Sequence, residues 1–299
     1  YVRAKAQVPG REVLVELEIN ADKANRARIN QNPVRSQKEL FGIVQAVYFS
    51  PEDLDLVRGD PSERRKFLDQ LITLRSPRIA GVISDYERAL RQRNSLLKQR
   101  ASQTSLAPWD EQVATLGGEI IAVRLKTLEN FEPLFKSIYR EISSEKPAWL
   151  AYKSSIEEPS TSSEENRRKI LERMVASRNS ELERGLTLTG PHRDDLLLNL
   201  GEHLVKGYAS HGESWSIALS LKLAMYQLLV NDGLAPILIL DDVFSELDEE
   251  RREHLIELAK RAEQTLITVA VETDLPKELV GRRFGIKSGS AYELNIGAN

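Results

Sequence analysis

The feature that most constrains the fold is a short apolar run that ends in two aspartates. The aliphatic residues at positions 237–240 predict a strand buried on both faces, and Asp241 and Asp242 follow it directly. In open α/β sheets, ligands bind at the carboxyl ends of the strands. There, the first carboxylate can hold Mg²⁺ through water, and the second can orient or deprotonate an attacking water. A solvated turn at the end of a strand explains this acid pair equally well.

The residues after the acid pair favour a functional site over a solvated turn. The run Ser245-Glu246-Leu247-Asp248 opens a helix predicted at about 249–264, for which Asp248 is a suitable N-cap. In ABC-type ATPases this position carries the D-loop. Capping explains Asp248 by itself, but it does not explain the whole run.

A second helix start lies 31 residues before Asp241. Ser210-His211-Gly212-Glu213 precedes an apolar helix predicted over about 214–230. A hydroxyl, free backbone N–H groups and the positive end of the helix dipole favour an anion at such a start. A plain helix cap is the simpler explanation of these residues alone. Their order, however, matches that of signature motif, helix and Walker B strand in ABC-type heads.

The order of predicted elements indicates an α/β fold with a helical insertion. Residues 1–50 have strand-like patterns, and helix starts follow at Pro51, with Ser50 as N-cap, and at Ser62. About 78–145 have helical spacing with a linker at 101–108, so we expect an N-terminal ATPase lobe at 1–75 and an inserted helical domain at 76–150. Residues 151–299 are predicted to form a C-terminal ATPase lobe, in which 154–165 predict a flexible loop. From about 214 to 271 helices and strands alternate, which predicts parallel pairing of the last two strands. The predicted strands are 1–8, 13–19, 26–30, 42–49, 186–190, 196–200, 237–240 and 266–271.

Composition excludes several classes of protein. The 299 residues contain no cysteine, which excludes a disulfide scaffold and thiolate metal sites and suits the cytoplasm. No apolar run is long enough to span a membrane, and no signal-peptide pattern is present. The net charge is −3, yet residues 58–100 carry eleven Lys and Arg against five Asp and Glu. Such a region can attract a polyanion, although a solvated helix face explains the charge alone.

Basic residues on predicted helices are the candidates for DNA contact. Arg88 and Arg91 lie three residues apart, so they share a helix face. Phosphate contacts from such a stripe position a protein on DNA and do not read its sequence. No base-reading module is visible, so we expect recognition of DNA form. The candidates are Arg64, Arg65, Arg88, Arg91 and Lys98.

Several segments together resemble the RecF family of bacterial repair ATPases, whose heads are of the ABC/SMC type. The resemblance covers nearly the whole chain, and its motifs are far more specific together than singly. It implies an α/β ABC-type ATPase head with a mixed sheet and an inserted helical domain. The motifs lie at 49–54, 59–69, 86–98, 189–195, 209–213 and 240–248.

The resemblance also implies roles for residues. Asp241 would hold Mg²⁺ through water and Asp242 would act as the catalytic base, while Ser210, Gly212 and Asp248 would contact ATP held by the other subunit of an ATP-sandwiched homodimer. The signature departs from L-S-G-G-Q, and Asp242 stands where most ABC ATPases have Glu, so slow hydrolysis is expected. The family's Walker A loop, G-x-x-x-x-G-K-[ST], does not occur in these residues. We therefore expect an N-terminal truncation, since the chain begins at Tyr1 within a predicted sheet.

The family's function follows as an expectation. The resemblance implies an ATP-dependent DNA-binding protein that acts in recombination, repair and the SOS response. It would bind duplex DNA beside single-strand gaps, with RecR and RecO as partners, and would support recombinase loading and replication restart. Its ATPase would be weak and DNA-stimulated in the complete protein and inactive without the Walker A loop, so whether this chain is itself an enzyme stays open.

Three other functions remain open. The main alternative is an ABC transporter ATPase subunit, although no Glu-Pro follows Leu240-Asp241-Asp242. An SMC head would need a far longer inserted coiled coil, and a nucleotide-free interaction protein gains support only from the missing loop. His192 invites a catalytic interpretation, but a turn between strands explains it more simply. Thr268 falls about where ABC ATPases place a switch histidine.

Overall fold

The computed structural model describes residues 1–8, 10–34, 40, 43–143, 146–244 and 247–294. The strands of this part are β1 (Val2–Val8), β2 (Arg11–Glu18), β3 (Arg26–Ile29), β4 (Asn32–Pro33), β5 (Ala46–Phe49), β6 (Ala148–Lys153), β7 (Asp195–Leu200), β8 (His203–Leu204), β9 (Ile237–Asp241), β10 (Thr265–Thr268), β11 (Phe284–Lys287) and β12 (Ser290–Glu293). The α-helices are α1 (Asp55–Arg58), α2 (Pro61–Arg75), α3 (Ile79–Lys98), α4 (Gln103–Ile142), α5 (Ser163–Ala176), α6 (Arg178–Arg184), α7 (His211–Asn231) and α8 (Glu249–Arg261).

Three parallel strands form the sheet that carries the acid pair. Strand β9 lies between β5 and β10, and Asp241 is opposite Thr268 of β10. Helix α8 connects β9 to β10, as parallel pairing requires a crossover. The predicted parallel pairing is confirmed. The carboxyl ends of the three strands therefore meet at one edge of the sheet.

Helix α7 is the central helix of the larger hydrophobic core. It is buried over most of its circumference, which explains why its sequence is apolar on all sides. The Trp215 ring lies 5.0 Å from that of Phe49, centroid to centroid. The buried Lys222 Nζ donates to the Tyr48 carbonyl oxygen at 2.9 Å and pairs with Asp53 at 2.8 Å. Helix α7 thus holds the carboxyl end of β5 in place.

Helices α3, α4 and α5 pack around a second, smaller core. The predicted linker at 101–108 is too long, because α4 begins at Gln103 and Pro108 lies inside it. This proline removes one N–H near the start of a 40-residue helix whose burial outweighs that loss. The C-terminal half of α4 joins the larger core, so one helix connects both. The division at 75 and 150 stays a prediction. None of the helices described here is long and apolar enough to cross a membrane.

Two antiparallel sheets complete the parts relevant to the site. The order β1-β2-β3-β4 confirms the predicted N-terminal hairpin, and β6-β7-β8 lies beside α2 and α4. The strand predicted at 186–190 is wrong. Its backbone is bonded to side chains: Leu188 N–H to Glu181 at 2.8 Å and Gly190 N–H to Ser155 at 2.8 Å. These backbone N–H groups therefore have hydrogen-bond partners without a neighbouring strand.

The segment predicted as a flexible loop, 154–165, is tied to the start of α5. The Asn166 side chain accepts from the Ser160 N–H at 2.8 Å and donates to the Ser160 carbonyl at 2.6 Å. Gly118 of α4 allows close approach, because an added Cβ would lie 2.5 Å from the Ser163 carbonyl oxygen. Low hydrophobicity therefore does not leave this segment without anchors.

Candidate nucleotide site and DNA-facing surface

Asp241 ends β9, and its carboxylate is held by the strands on either side. The Thr268 hydroxyl of β10 donates to Oδ1, and the Tyr48 hydroxyl of β5 donates to Oδ2. These bonds favour the ionised form and lower the pKa of Asp241, with Thr268 contributing more than Tyr48. The hydrogen bond to Asp241 also raises the pKa of Tyr48. The sheet edge therefore presents a charged carboxylate flanked by two hydroxyl groups.

Asp242 stands at the turn that follows β9. Its backbone has a φ of 52°, in the left-handed region that Asp tolerates better than most residues. Its N–H donates to the Thr268 carbonyl oxygen at 3.1 Å. The second aspartate therefore lies immediately beyond the strand, with its backbone fastened to β10.

The oxygen donors at this edge suit a hard cation. Mg²⁺ is usually held by one or two protein carboxylates, with water and phosphate oxygens completing its shell. Asp241 is half-buried and its ionised form is favoured. No group of three or more His, Asp or Glu side chains in the described ranges could form a metal cage. The edge thus fits a cation shared with a phosphate ligand.

Ser210 caps the N-terminus of α7. Its Oγ accepts the Glu213 N–H at 3.2 Å, and Glu213 accepts the Ser210 N–H at 2.8 Å, which completes a capping box. Lys146 pairs with the other Glu213 oxygen at 2.9 Å. The Ser210 N–H, followed by Lys146, lowers the pKa of Glu213. The capping box explains the Glu at this position, which the resemblance left uncertain.

Arginines from two other helices reach this helix start. Arg58 Nη2 lies 2.9 Å from His211 Nδ1. Arg251 Nη1 lies 3.2 Å from the place where a Cβ on Gly212 would be, and it pairs with Asp248 at 3.2 Å. Asp248 also caps α8, as predicted, by accepting the Arg251 N–H at 3.0 Å.

The structure therefore gathers Gly212 and Asp248 around Arg251, at two adjoining helix starts. The predicted D-loop residues Ser245 and Glu246 lie outside the described residues. Sequence reasoning missed Tyr48, Arg58, Lys146 and Arg251. Arg251 pairs with Asp248 at the local i, i+3 spacing, but its approach to Gly212 is tertiary. The partners of Tyr48, Arg58 and Lys146 are also distant in sequence, so no spacing signal identifies these contacts.

The predicted DNA-facing cations divide into two groups. Arg88, Arg91 and Lys98 are exposed on α3. Within the described ranges, the two arginines pair with acidic residues of their own helix, at 3.2 Å and 3.9 Å. The Arg64 side chain is only 8% exposed and pairs with Asp195 at 2.8 Å. Arg65 is half-buried and donates to the Asp194 carbonyl oxygen at 2.9 Å. The guanidinium groups of Arg64 and Arg65 thus donate to Asp195 and to the Asp194 carbonyl, whereas those on α3 stay exposed. DNA contact by all five residues stays a prediction.

His192 lies in a side-chain network, away from the acid pair. Its Nδ1 is 2.6 Å from the Tyr86 hydroxyl and its Nε2 is 3.1 Å from the Thr187 carbonyl oxygen. Burial lowers the pKa of His192 to about 4, so the ring is neutral at physiological pH. The Arg193 guanidinium also donates to the Thr187 carbonyl at 2.8 Å. These contacts agree with the predicted turn and give His192 a structural position.

A parallel sheet that ends in an acid pair, a Ser-x-Gly helix start and a capped helix after the acid pair define an ATPase head of the ABC/SMC type. Comparison with solved structures supports this class. The Smc head domain of Pyrococcus furiosus superposes with a TM-score of 0.52 at 14% identity, which shows the fold alone. A structure described as the recombination mediator protein RecF-ATPrS in the RecFOR pathway gives a TM-score of 0.88 at 28% identity, covering 98% of this chain and 79% of that one.

Curated relatives identify the family. The chain is 47% identical to the DNA replication and repair protein RecF of Streptomyces avermitilis over 304 residues, covering 98% of this chain and 82% of the relative. It is 46% identical to RecF of Cutibacterium acnes, covering 95% of this chain and 79% of the relative. No family model matches the chain. The chain belongs to the RecF family of DNA replication and repair proteins, as its motifs predicted.

Proposed function

We propose that the protein binds ATP with Mg²⁺ and DNA, and acts in recombinational repair at gapped DNA. The observation that carries this proposal is the ionised Asp241 beside Asp242 at the carboxyl edge of the parallel sheet. Its nearest support from comparison is the likeness to RecF structures described as bound to ATP and ATPrS. No described feature favours the transporter alternative.

The two aspartates have different roles in the proposed hydrolysis of ATP. Asp241 would hold Mg²⁺ through water, and the metal would supply positive charge to the phosphate oxygens. Asp242 orients the attacking water and accepts its proton. Its side chain is one methylene shorter than the Glu of most ABC ATPases, so we expect slow turnover. The Thr268 and Tyr48 hydroxyls keep Asp241 ionised and fix its direction.

A second protomer completes the site. Ser210 is exposed, Gly212 is half-buried, and both lie at the positive end of a 21-residue helix. Asp248 is exposed at the adjoining start of α8. These residues would contact the ATP bound by the partner protomer. ATP therefore joins two protomers, and hydrolysis separates them.

The exposed face of α3 provides the DNA contacts. Arg88, Arg91 and Lys98 bind phosphates, so they recognise the form of the DNA and not its sequence. The RecFOR pathway named for the solved relatives supports RecR and RecO as partners. We place the protein in the cytoplasm, where it supports recombinase loading and replication restart at gaps.

Sedimentation of the full-length protein tests the proposal. Asp242→Asn should trap dimers in Mg-ATP, because the water would no longer be deprotonated, and gapped duplex DNA should stabilise them. Asp22→Asn, in the exposed β2–β3 connection, is the matched control and should dimerise and hydrolyse ATP like the wild type. A protein that stays monomeric with ATP and ignores gapped DNA would exclude this function.

A further inference from the structure

Arg251 lies between the starts of α7 and α8, whose residues Ser210, Gly212 and Asp248 are proposed to contact the partner's ATP. Its backbone N–H donates to Asp248 at 3.0 Å, and its guanidinium pairs with the same carboxylate at 3.2 Å. The guanidinium then extends over Gly212, with Nη1 at 3.2 Å and Nη2 at 3.8 Å from the position of an added Cβ. The Arg251 side chain is 21% exposed, so most of it is buried.

The contact offers a second reason for a glycine at position 212. Its φ is not in the left-handed region, so the backbone conformation does not demand glycine. A Cβ would lie closer to Nη1 than ordinary van der Waals contact allows, and the guanidinium would have to move. The absence of a side chain at Gly212 therefore leaves room for the Arg251 guanidinium.

We infer that Arg251 is a positioning residue that couples the signature helix α7 to the D-loop helix α8. It holds Gly212 and Asp248 in one fixed relation, so that both reach the partner's nucleotide together. A planar guanidinium suits this task, because it can pair with a carboxylate while lying flat against a glycine. The inference rests on the proposed ATP-sandwiched dimer and assigns Arg251 no direct contact with ATP.

A double-mutant cycle in the full-length protein tests the coupling. The variants are Arg251→Ala, Gly212→Ala and the two combined, with Lys260→Ala as control. Lys260 pairs with Glu257 at 3.0 Å, so it has the same i, i+3 ion pair on the same helix without reaching α7. The readouts are the dimer dissociation constant in Mg-ATP, the ATP affinity of the dilute monomer, and the thermal midpoint without nucleotide.

Arg251→Ala should weaken ATP-dependent dimerisation about tenfold, within the usual range for coupled sites, and leave monomer ATP affinity unchanged. Gly212→Ala should weaken dimerisation in the wild-type background, and it should weaken it clearly less in the Arg251→Ala background. A merely structural role would lower the thermal midpoint and leave this non-additivity absent.

Two results would overturn the inference. The Arg251→Ala protein could dimerise as tightly as the wild type, or Gly212→Ala could weaken dimerisation equally in the wild-type and the Arg251→Ala backgrounds. The second result would indicate that Gly212 acts on the partner's nucleotide independently of Arg251. Failure of the wild-type protein itself to dimerise with ATP would instead refute the proposed function. The two failures are therefore distinguishable.

Discussion

Arg93 and Arg91 lie two residues apart on α3, yet substitution of each should damage a different property. Arg93 is fully buried and donates to Asp110 at 2.7 Å, to Glu181 at 2.6 Å and to Thr187 at 2.7 Å. Arg91 is exposed, and its ion pair spans 3.9 Å. We predict that Arg93→Ala destabilises the fold, whereas Arg91→Ala weakens DNA binding.

The magnitude follows from what Arg93→Ala leaves behind. Asp110 keeps a second cation, Arg178, but Glu181 is fully buried and would retain only the Leu188 N–H as a donor. Removing one partner of a buried ion pair costs about 3–5 kcal/mol. For a chain of this size, roughly 2 °C of thermal midpoint corresponds to each kcal/mol. We therefore expect the midpoint to fall by about 6–10 °C.

Thermal and urea unfolding followed by circular dichroism measure this loss. Arg91→Ala is the matched control and should change stability by less than about 0.5 kcal/mol. In DNA binding, each lost phosphate contact should lower the slope of log affinity against log salt by about 1. Arg88→Ala with Arg91→Ala should thus lower it by about 2, while Arg93→Ala should leave it unchanged. An Arg93→Ala midpoint within about 2 °C of wild type would refute the reasoning about Glu181.

Three further predictions concern pH and packing. The pKa of His192 is about 4 in the fold and 6.5 ordinarily, so its contribution to the free energy of unfolding should be complete above pH 6.5 and fall by up to about 3 kcal/mol as the pH drops towards 4. His192→Gln should flatten this pH dependence in urea titrations, and an unchanged dependence of the unfolding free energy on pH would contradict the prediction. Tyr48→Phe removes one donor from Asp241, so its pKa should rise and the acidic limb of the ATPase pH profile should move to higher pH; an unmoved limb would count against the role of Asp241. Gly118→Ala should destabilise the protein by about 1–3 kcal/mol because the new Cβ would clash with the backbone of α5, whereas Gly81→Ala, with open space around it, should stabilise it by up to about 1 kcal/mol. Equal effects of the two variants in chemical denaturation would refute the close approach of α4 and α5 at Gly118.

Elements with strong local signals could be predicted from the sequence. The strand before Asp241 and the helix starts at Ser210 and Asp248 were predicted correctly. Apolar runs and capping residues act within a few positions, so the sequence pattern records them directly. The strand predicted at 186–190 did not form, because the side chains of Asn94 on α3 and Glu181 on α6 accept backbone N–H groups that a strand would bond to its neighbour.

The candidate site was predictable only in part for the same reason. The acid pair and the Ser-x-Gly start could be found because each is contiguous. The burial of Arg64 could not, since its partner Asp195 lies 131 positions away. Nothing in the spacing of Arg64, Arg88 and Arg91 separates a buried arginine from exposed ones.

By itself, the sequence determined the family, the order of the motifs and the chemical groups available to ATP. The tertiary structure alone decided which of those groups meet. Tyr48 and Asp241 are 193 positions apart and become neighbours only because β5 and β9 pair in parallel with one register. Arg251 reaches Gly212 only because α7 and α8 start side by side. Periodicity describes the faces of single elements, whereas contacts between elements depend on how their buried faces pack.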